Sequence, residues 1–239
     1  METKRAPRRA TDARPDRRLA ILLAAERLFA RRGYHGVSIR QIAEAAGVPL
    51  ALVGYYFGPK QALFHAIFER WSPAIAQRLA LLREAERQPW DAQRLARIVQ
   101  AFIGPVIRMR ASPEGGYYAL LLTQGLSTQH DEADPVLRDF FDPMADAFIG
   151  VLHGTLAREA PGITRATVAW CYQFALGALL HHIADTRVQR LSHGANRAND
   201  PQAAPLLEDF IVHGIRGAVH RLHPPPRDNG EPPRKRRHP

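Results

Sequence analysis

The sequence predicts an all-α fold. Apolar residues recur at spacings of three and four along most of the 239 residues, which is the period of an amphipathic helix. No stretch sustains the alternation of apolar and polar residues that would indicate a strand. Proline and glycine interrupt the pattern at intervals that suit helices of ordinary length. A hydrophobic content of 46% is enough for a sizeable core, so we expect a folded helical protein rather than a disordered chain.

Two short helices are predicted before residue 50. The first has an apolar stripe that Gly33 ends, formed by Ile21, Ala24, Ala25, Leu28 and Phe29. The second is shorter, and its stripe consists of Ile39, Ile42, Ala43 and Ala46. Each stripe covers one face of its helix, so both helices are expected to bury that face against neighbours.

Longer helices are predicted after residue 59, each bounded by proline or glycine. Their expected ranges are 60–87, 91–111, 115–129, 135–159, 164–190 and 203–222. The two ends of the chain differ from this pattern. Residues 1–15 and 223–239 are rich in Arg, Lys and Pro and lack apolar periodicity, so we expect a disordered basic arm and a disordered basic tail.

The formal charge of +10 is concentrated at the ends of the chain. Residues 1–60 carry +7, residues 61–220 carry −1 and residues 221–239 carry +4. Clustered Lys and Arg favour binding to phosphates because binding releases condensed counterions. The distribution therefore indicates that the N-terminal segment meets nucleic acid. For the tail, the arginine-rich composition of a GC-rich genome is an alternative explanation.

Composition and motifs disfavour several classes of protein. A single cysteine, Cys171, and the lack of a basic-apolar-small leader argue against secretion. The most apolar stretch, Val168 to Ile183, is interrupted by polar residues and is shorter than the roughly 20 residues that span a bilayer. No Gly-x-Ser-x-Gly elbow, His-Glu-x-x-His motif or phosphate-binding glycine loop points to an enzyme. We expect a cytoplasmic, non-enzymatic protein with no membrane segment, cofactor or metal.

The segment from residue 38 to residue 49 has the local features of a helix-turn-helix. Ser38 followed by Gln41 is a capping-box pattern, which predicts where the second helix begins. Ala43 is small enough for another helix to cross closely, and Gly47 can adopt the left-handed conformation of a tight turn. Pro49 suits the first position of the next helix. This layout places a recognition helix in the DNA major groove.

The chain resembles the TetR-type transcriptional regulators from Ile21 to Leu63 without a gap. The matching residues are Ala24-Ala25, Leu28-Phe29, Gly33-Tyr34, Ser38, Ile42-Ala43, Ala46-Gly47-Val48, Tyr56-Phe57, Lys60 and Ala62-Leu63. The resemblance implies a three-helix helix-turn-helix DNA-binding domain, residues 16–60, and a C-terminal helical domain for ligand binding and dimerisation, residues 61–222. It also implies a homodimeric repressor that binds a near-palindromic operator in double-stranded DNA and is released by a small-molecule effector.

Carrying the family's roles over to matching positions gives the expected DNA contacts: Ser38, Arg40, Gln41, Pro49, Leu50, Ala51, Tyr55, Tyr56 and Lys60. Arg40 and Lys60 lie off the core stripes and can bind phosphate as cations, although an ordinary solvated arginine is the alternative for Arg40. Leu50 cannot donate a hydrogen bond to a base edge, so contact with thymine methyl groups is expected there. The family usually has an aromatic residue at the position of Gly54, for which the neighbouring tyrosines are expected to compensate.

In TetR-type proteins the last two helices usually form a four-helix bundle with a partner subunit. Here the helices predicted at 164–190 and 203–222 intersperse small residues such as Gly177 and Gly214 with large ones, which permits close helix packing. Packing within one subunit is the alternative. The segments Tyr172 to Ala178 and Val53 to Gly58 resemble the branch of the family that includes fatty-acid-responsive repressors, which implies a fatty-acyl effector. The apolar residues of the body also allow an aromatic effector.

A mainly apolar effector pocket is expected in the C-terminal domain. The predicted lining residues are Phe102, Val106, Met109, Tyr117, Leu121, Phe141, Met144, Phe148, Trp170, Phe174 and His181. Gly104-Pro105 predicts a bend that would leave space among these helices. A plain packed core is the alternative for each residue. A metal site that involves His153 or His181 is a less favoured alternative, because the adjacent His181 and His182 diverge on a helix.

Overall fold

The computed structural model describes residues 16–127 and 134–222, and every regular element in these ranges is a helix. The all-α prediction is therefore confirmed for the described residues. The basic arm expected at 1–15 lies outside them, as does the basic tail expected at 223–239.

Three short helices form an N-terminal unit that we call the headpiece: α1 (Arg17–Arg32), α2 (Ile39–Ala46) and α3 (Leu50–Phe57). The Asp16 side chain caps α1 by accepting a hydrogen bond from the Leu19 backbone N–H. Gly33 ends α1 with a φ of 73°. The predicted stripes of α1 and α2 face inward, because Ile21, Phe29 and Ile42 are all buried.

The central part of the fold consists of α4 (Lys60–Arg87), α5 (Arg94–Ala111) and α6 (Gly116–Ser127). α4 matches its predicted range and runs without a break from the headpiece into the body of the protein. α5 begins three residues later than predicted, because the Asp91 carboxylate accepts the backbone N–H of Gln93 and forms a local turn first.

The remaining helices are α7 (Asp134–Val136), α8 (Asp142–Glu159), α9 (Arg165–Ala184), α10 (Val188–Leu191) and α11 (Ala204–Leu222), with a 3₁₀ turn at Pro201–Ala203. The single helix predicted over 135–159 is wrong, because a π-helical turn, Leu137–Phe141, divides it. Pro143 has no N–H for the carbonyl of Asp139, which interrupts the regular hydrogen-bond ladder at this point.

The helix predicted over 164–190 is also too long, because α9 ends at Ala184. The Asp185 side chain accepts the backbone N–H of Arg187 at 2.8 Å, and its other oxygen forms an ion pair with the Arg187 guanidinium. These local bonds favour a turn over continued helix. The Arg187 hydrogen bonds also hold the pKa of Asp185 at about 2, so the turn keeps its charge pair over the physiological pH range.

One hydrophobic core runs from the headpiece into the body. Phe29 of α1 contacts Phe64 of α4 edge to face at 5.5 Å between ring centroids, and Phe64 in turn contacts Phe68 at 5.2 Å. Phe68 then meets Tyr118 of α6 at 5.6 Å. Because close-packed side chains do not deform continuously, this row of rings fixes how the headpiece sits on the body.

The capping box predicted at the start of α2 is confirmed. The Ser38 backbone N–H donates to Gln41 Oε1 at 2.8 Å, and the Gln41 backbone N–H donates to Ser38 Oγ at 3.3 Å. Ser38→Ala removes one of these bonds and is expected to destabilise the protein by about 1 kcal/mol, which corresponds to a Tm lower by about 2–4 °C.

Thermal denaturation followed by circular dichroism checks this prediction, with Ser72→Ala as the matched control. Ser72 is exposed in the interior of α4, where alanine is a better helix former. An equal fall in Tm for both variants would show that the Ser38 cap contributes no specific stability.

Candidate DNA-binding surface and effector cavity

The turn between α2 and α3 has the geometry that the sequence predicts. Gly47 adopts a left-handed conformation with a φ of 66°, and its N–H bonds to carbonyls of the last turn of α2. The Val48 N–H donates to the Ala43 carbonyl at 3.0 Å, which completes a tight helix end. Pro49 precedes the first residue of α3 instead of occupying the first helical position, one residue from expectation.

α3 presents one face to the core and the opposite face to solvent. Val53 and Phe57 are buried and hold the helix against the headpiece. The solvent face consists of Leu50, Ala51, Gly54, Tyr55 and Tyr56, and Tyr55 is 80% exposed. Tyr55 and Tyr56 meet edge to face at 5.3 Å, which gives the helix an aromatic ridge next to Gly54. A helix with this exposed face can enter a groove of about 12 Å without losing its own packing.

The predicted polar contacts outside α3 lie at the starts of α2 and α4. Ser38 and Arg40 are exposed at the start of α2, whereas the Gln41 side chain is engaged in the capping box. Lys60 lies at the start of α4, and its Nζ is 4.1 Å from the centroid of the Tyr34 ring. This contact holds the ammonium group over the ring of Tyr34, which follows the end of α1.

Arg18 is a further cation at this surface that the periodicity of the sequence does not single out. Its guanidinium carbon lies 5.0 Å from the centroid of the Phe57 ring at the end of α3. Arg18 itself is exposed on α1. A contact between the first and third helices could be anticipated only from their packing, because the two residues are far apart in sequence.

A buried carboxylate joins the headpiece to the body. Glu26 of α1 is 2% exposed, and its Oε2 accepts hydrogen bonds from Trp71 Nε1 at 3.0 Å and from Arg70 Nη1 at 3.3 Å. Burial raises the pKa of Glu26, and the bonds from Trp71 and Arg70 oppose that shift only in part. The Tyr118 backbone also acts on this carboxylate, so the group links α1 to both α4 and α6.

α6 makes two further polar contacts with α1. Arg31 donates to Tyr117 Oη at 2.7 Å, and Gln124 Nε2 donates to the carbonyl of Ala30 at 3.0 Å. Tyr117 was expected to line the effector pocket, and the structure instead places its hydroxyl on the headpiece. A movement of α6 would therefore be transmitted directly to α1.

A cavity of about 190 Å³ lies in the body between α4, α5, α6, α8 and α9. It is lined by Arg78, Val106, Leu122, Phe141, Asp142, Met144, Ala145, Tyr172, Gln173, Leu176, Leu179 and Leu180. Three of the predicted pocket residues are among these, namely Val106, Phe141 and Met144. The lining is mainly apolar with a few polar groups, as is usual for small-molecule sites.

Other predicted pocket residues belong to the packed core. Leu121 is buried, and Phe102 and Phe148 line a separate void of about 10 Å³, which is too small for a ligand. Met109 is half-buried outside the cavity lining.

Three predicted pocket residues on α9 do not line this cavity. Trp170 and Phe174 are 63% and 69% exposed, and the exposed His181 forms an ion pair with Asp185. α9 is apolar on more than one face, so periodicity alone could not show which face encloses the cavity. The structure places Tyr172 and Leu176 on the cavity side instead.

Arg78 was missed as a cavity residue. It is 5% exposed, its Nη2 donates to the carbonyl of Phe102 at 2.8 Å, and its guanidinium carbon lies 4.9 Å from the Phe102 ring centroid. Burial lowers the pKa of Arg78 to about 10, so the side chain stays protonated at neutral pH. Its position between Ile75 and Leu82 on the inner stripe of α4 is the sequence signal that could have identified it.

Apolar stripes on α9 and α11 lie open to solvent in the single chain. Four large side chains carry most of this surface, with exposures between 63% and 75%: Trp170, Phe174, Leu206 and Phe210. Gly177, Gly214 and Gly217 share these exposed faces, and a Cβ added at any of them would meet nothing within 4 Å. Contiguous apolar surface of this kind marks an interaction site.

Metal and membrane sites were considered for the described residues. In residues 16–127 and 134–222, no group of three or more His, Cys, Asp or Glu is placed to hold a metal ion. His153 Nε2 is bonded to the carbonyl of Ile163 at 3.1 Å. Within the same ranges, no helix has the length and apolar character needed to cross a bilayer.

Two family models match the chain. The model of the tetR family of bacterial regulatory proteins matches residues 21–67, and that of the tetracyclin repressor-like C-terminal domain matches residues 100–214. Among similar proteins, the transcriptional repressor AcnR of Corynebacterium glutamicum is 27% identical over 160 residues, which cover 60% of this chain and 85% of AcnR. The transcriptional activator FasR of Mycolicibacterium smegmatis is 34% identical over 90 residues, which cover 37% of this chain and 40% of FasR.

Solved structures of regulators share the fold. PfmR from Thermus thermophilus has a TM-score of 0.54 and 21% identity, with 80% of this chain and 93% of PfmR covered. FadR from Bacillus subtilis in complex with stearoyl-CoA has a TM-score of 0.54 and 16% identity, with 82% and 98% covered. A regulator from Saccharomonospora viridis in complex with choline has a TM-score of 0.55 and 20% identity, with 84% and 97% covered. The chain therefore belongs to the TetR family of non-enzymatic, DNA-binding transcriptional regulators.

Proposed function

We propose that this regulator is a repressor that binds a near-palindromic operator as a homodimer and leaves it when a small effector occupies the body. The observation that carries this proposal is the solvent face of α3, with exposed Leu50, Ala51 and Tyr55, together with the cations Arg40 and Lys60 at the starts of the preceding and following helices. Such a helix fits the major groove while the cations meet flanking phosphates. We place the protein in the cytoplasm, where its DNA target lies.

The proposed domain organisation is a DNA-binding domain at residues 16–60 and a ligand-binding and dimerisation domain at residues 61–222. The two family models, which match 21–67 and 100–214, support this division. α4 belongs to both parts, because it begins with Lys60 and carries Arg78 at the cavity.

Homodimerisation is supported by the exposed stripes on α9 and α11. Two copies of these stripes can bury one another in a four-helix bundle, and the exposed glycines leave room for close approach of the partner helices. A two-fold dimer presents two copies of α3 to two half-sites, which is why a near-palindromic operator is proposed.

A repressor is proposed because AcnR, similar over 85% of its length, is named a repressor, whereas the similarity to the activator FasR spans only 40% of that protein. The effector proposed is small and mainly apolar. Stearoyl-CoA and choline are bound by two regulators of the same fold. A cavity of about 190 Å³ is below the 300–1,000 Å³ typical of drug-sized ligands, so a compact aromatic effector suits it better than a long acyl thioester.

The test begins with selection of bound sequences from random double-stranded DNA by the full-length protein. Binding of the selected site is then measured across a range of salt concentrations for Arg40→Ala and Lys60→Ala. Loss of one phosphate contact per protomer removes two per dimer and lowers the slope of log K against log salt by about 2. Arg83→Ala is the matched control, because Arg83 is exposed on α4 beyond the headpiece.

Retention of the wild-type salt slope by both variants would overturn the phosphate contacts. Failure of the wild type to enrich any sequence would overturn the proposed operator binding. A selected site without two-fold symmetry would overturn the dimeric mode of binding.

A further inference from the structure

The effector cavity contains a buried cation that has no acidic partner. Arg78 forms no ion pair with any carboxylate of the described residues, and its Nε has no hydrogen-bond partner. Among the residues that the structure describes, the groups that hold this charge are the Phe102 carbonyl and the faces of the Phe102 and Phe148 rings. A buried charge without a counter-charge is costly, because the carbonyl and the rings replace only part of its hydration.

Tyrosines near Arg78 offer further polar groups. Burial raises the pKa of Tyr172 and of Tyr118, the two tyrosines that interact electrostatically with Arg78. The Tyr118 hydroxyl is buried without a hydrogen-bond partner, and Tyr172 lines the cavity. Tyr172 is thus a polar residue of the cavity wall that interacts with the cation, whereas most of the wall is apolar.

We propose that the effector is a compact organic acid whose carboxylate pairs with Arg78 and whose apolar body fills the cavity. This inference rests on the proposed effector function and names the chemical class of the effector. A guanidinium presents a planar set of donors that matches the two oxygens of a carboxylate. Asp142 also lines the cavity and its charge acts on Tyr172, but Asp142 is exposed, so water weakens its repulsion of an anion.

The volume of the cavity limits the size of this acid. A dry cavity of about 150 Å³ is enough to hold benzene. The cavity here is about 190 Å³, which adds room for a carboxylate and a short linker. Val106, Phe141 and Met144 would surround the apolar body, while the carboxylate would lie against α4.

Isothermal titration calorimetry on the full-length protein tests the proposal. The probes are benzoate, phenylacetate and hexanoate, each compared with its neutral amide. The acids are expected to bind and to release the selected operator, whereas each amide should bind at least about 30-fold more weakly, which is the loss expected when a buried charge loses its partner.

Two variants separate the charge from the shape of the side chain. Arg78→Met keeps an apolar stem of similar length and should abolish the preference for acid over amide, whereas Arg78→Lys should retain part of it. Arg83→Met, an exposed arginine on the same helix, is the control and should bind the acids as the wild type does. Circular dichroism establishes that each variant is folded.

The outcomes distinguish this inference from the proposed function. Equal affinity for acids and amides, or an unchanged preference in Arg78→Met, would overturn the assignment of an acid. Failure of every probe to bind a protein that still binds its selected DNA would also overturn it, while operator binding would stand. Binding of acids with no release of DNA would overturn the proposed induction and leave the acid site intact.

Discussion

Gly214→Arg is expected to leave the protein folded and monomeric, with its operator affinity lost. A Cβ at Gly214 meets nothing within 4 Å in the protomer, so the larger side chain does not disturb the fold. In the proposed dimer, two arginines would be buried without partners beside a two-fold axis. A buried unpaired charge costs about 3–5 kcal/mol, so the dimer Kd should rise by at least about 100-fold. Gly177→Arg on α9 should have the same effect.

Sedimentation velocity measures the oligomeric state, and a mobility-shift titration of the selected site measures DNA binding. Gly154→Arg is the matched control, because Gly154 is also an exposed helical glycine with nothing within 4 Å of an added Cβ, but it lies on α8. If Gly214→Arg and Gly177→Arg sediment as intact dimers, the partner subunit does not pack on these stripes.

Glu26→Ala is expected to destabilise the protein by about 2–4 kcal/mol, because Trp71 and the partly buried Arg70 both lose their acceptor. For a chain of this size the Tm should fall by about 5–15 °C. Glu44→Ala, at an exposed position on α2, is the control and should change the Tm little. An equally small change for Glu26→Ala would mean that the buried carboxylate does not hold the headpiece on the body.

Glu26→Gln separates the hydrogen bond to Trp71 from the charge. Folding raises the pKa of Glu26 above its ordinary 4.5, so the native state favours the protonated acid. The stability that the raised pKa contributes is fully present below pH 4.5 and is lost as the pH rises through the native pKa of Glu26. Glutamine does not titrate, so the Tm of Glu26→Gln should rise relative to that of the wild type as the pH increases from 4 to 7. A constant difference in Tm over this range would contradict the raised pKa.

Local signals in the sequence predicted the headpiece closely. Three of its features depend on residues that are a few positions apart: the capping box at Ser38, the left-handed Gly47 and the inward stripe of α1. A short stretch of sequence therefore includes both partners of each interaction. The residues of α3 that were expected to contact DNA, namely Leu50, Ala51, Tyr55 and Tyr56, are all exposed. Whether these groups contact DNA as expected remains a prediction.

The body was harder to predict because its helices are apolar on more than one face. On α9, both Tyr172 on the cavity side and Phe174 on the solvent side satisfy a helical period, and only the packing of neighbouring helices distinguishes them. Arg78 was missed because a single arginine in an amphipathic helix is usually solvated. The breaks at the π-helical turn and at Asp185 depend on hydrogen bonds that composition does not show.

α4 joins the DNA-binding surface to the cavity, and Pro73, which has no N–H to donate to the Glu69 carbonyl, lies between these two ends. Arg78 follows Lys60 by 18 residues, so the cavity end of this segment lies about 27 Å from its DNA end at 1.5 Å per residue. If the segments on either side of Pro73 move together, α4 acts as a lever, and a rotation of about 5° at Arg78 displaces Lys60 by roughly 2 Å, a shift of the size found in switching proteins. In a two-fold dimer the levers turn in opposite senses, so the displacements add. In the proposed dimer, an effector bound in a cavity of modest volume would therefore alter the spacing of two recognition helices that match half-sites about 34 Å apart.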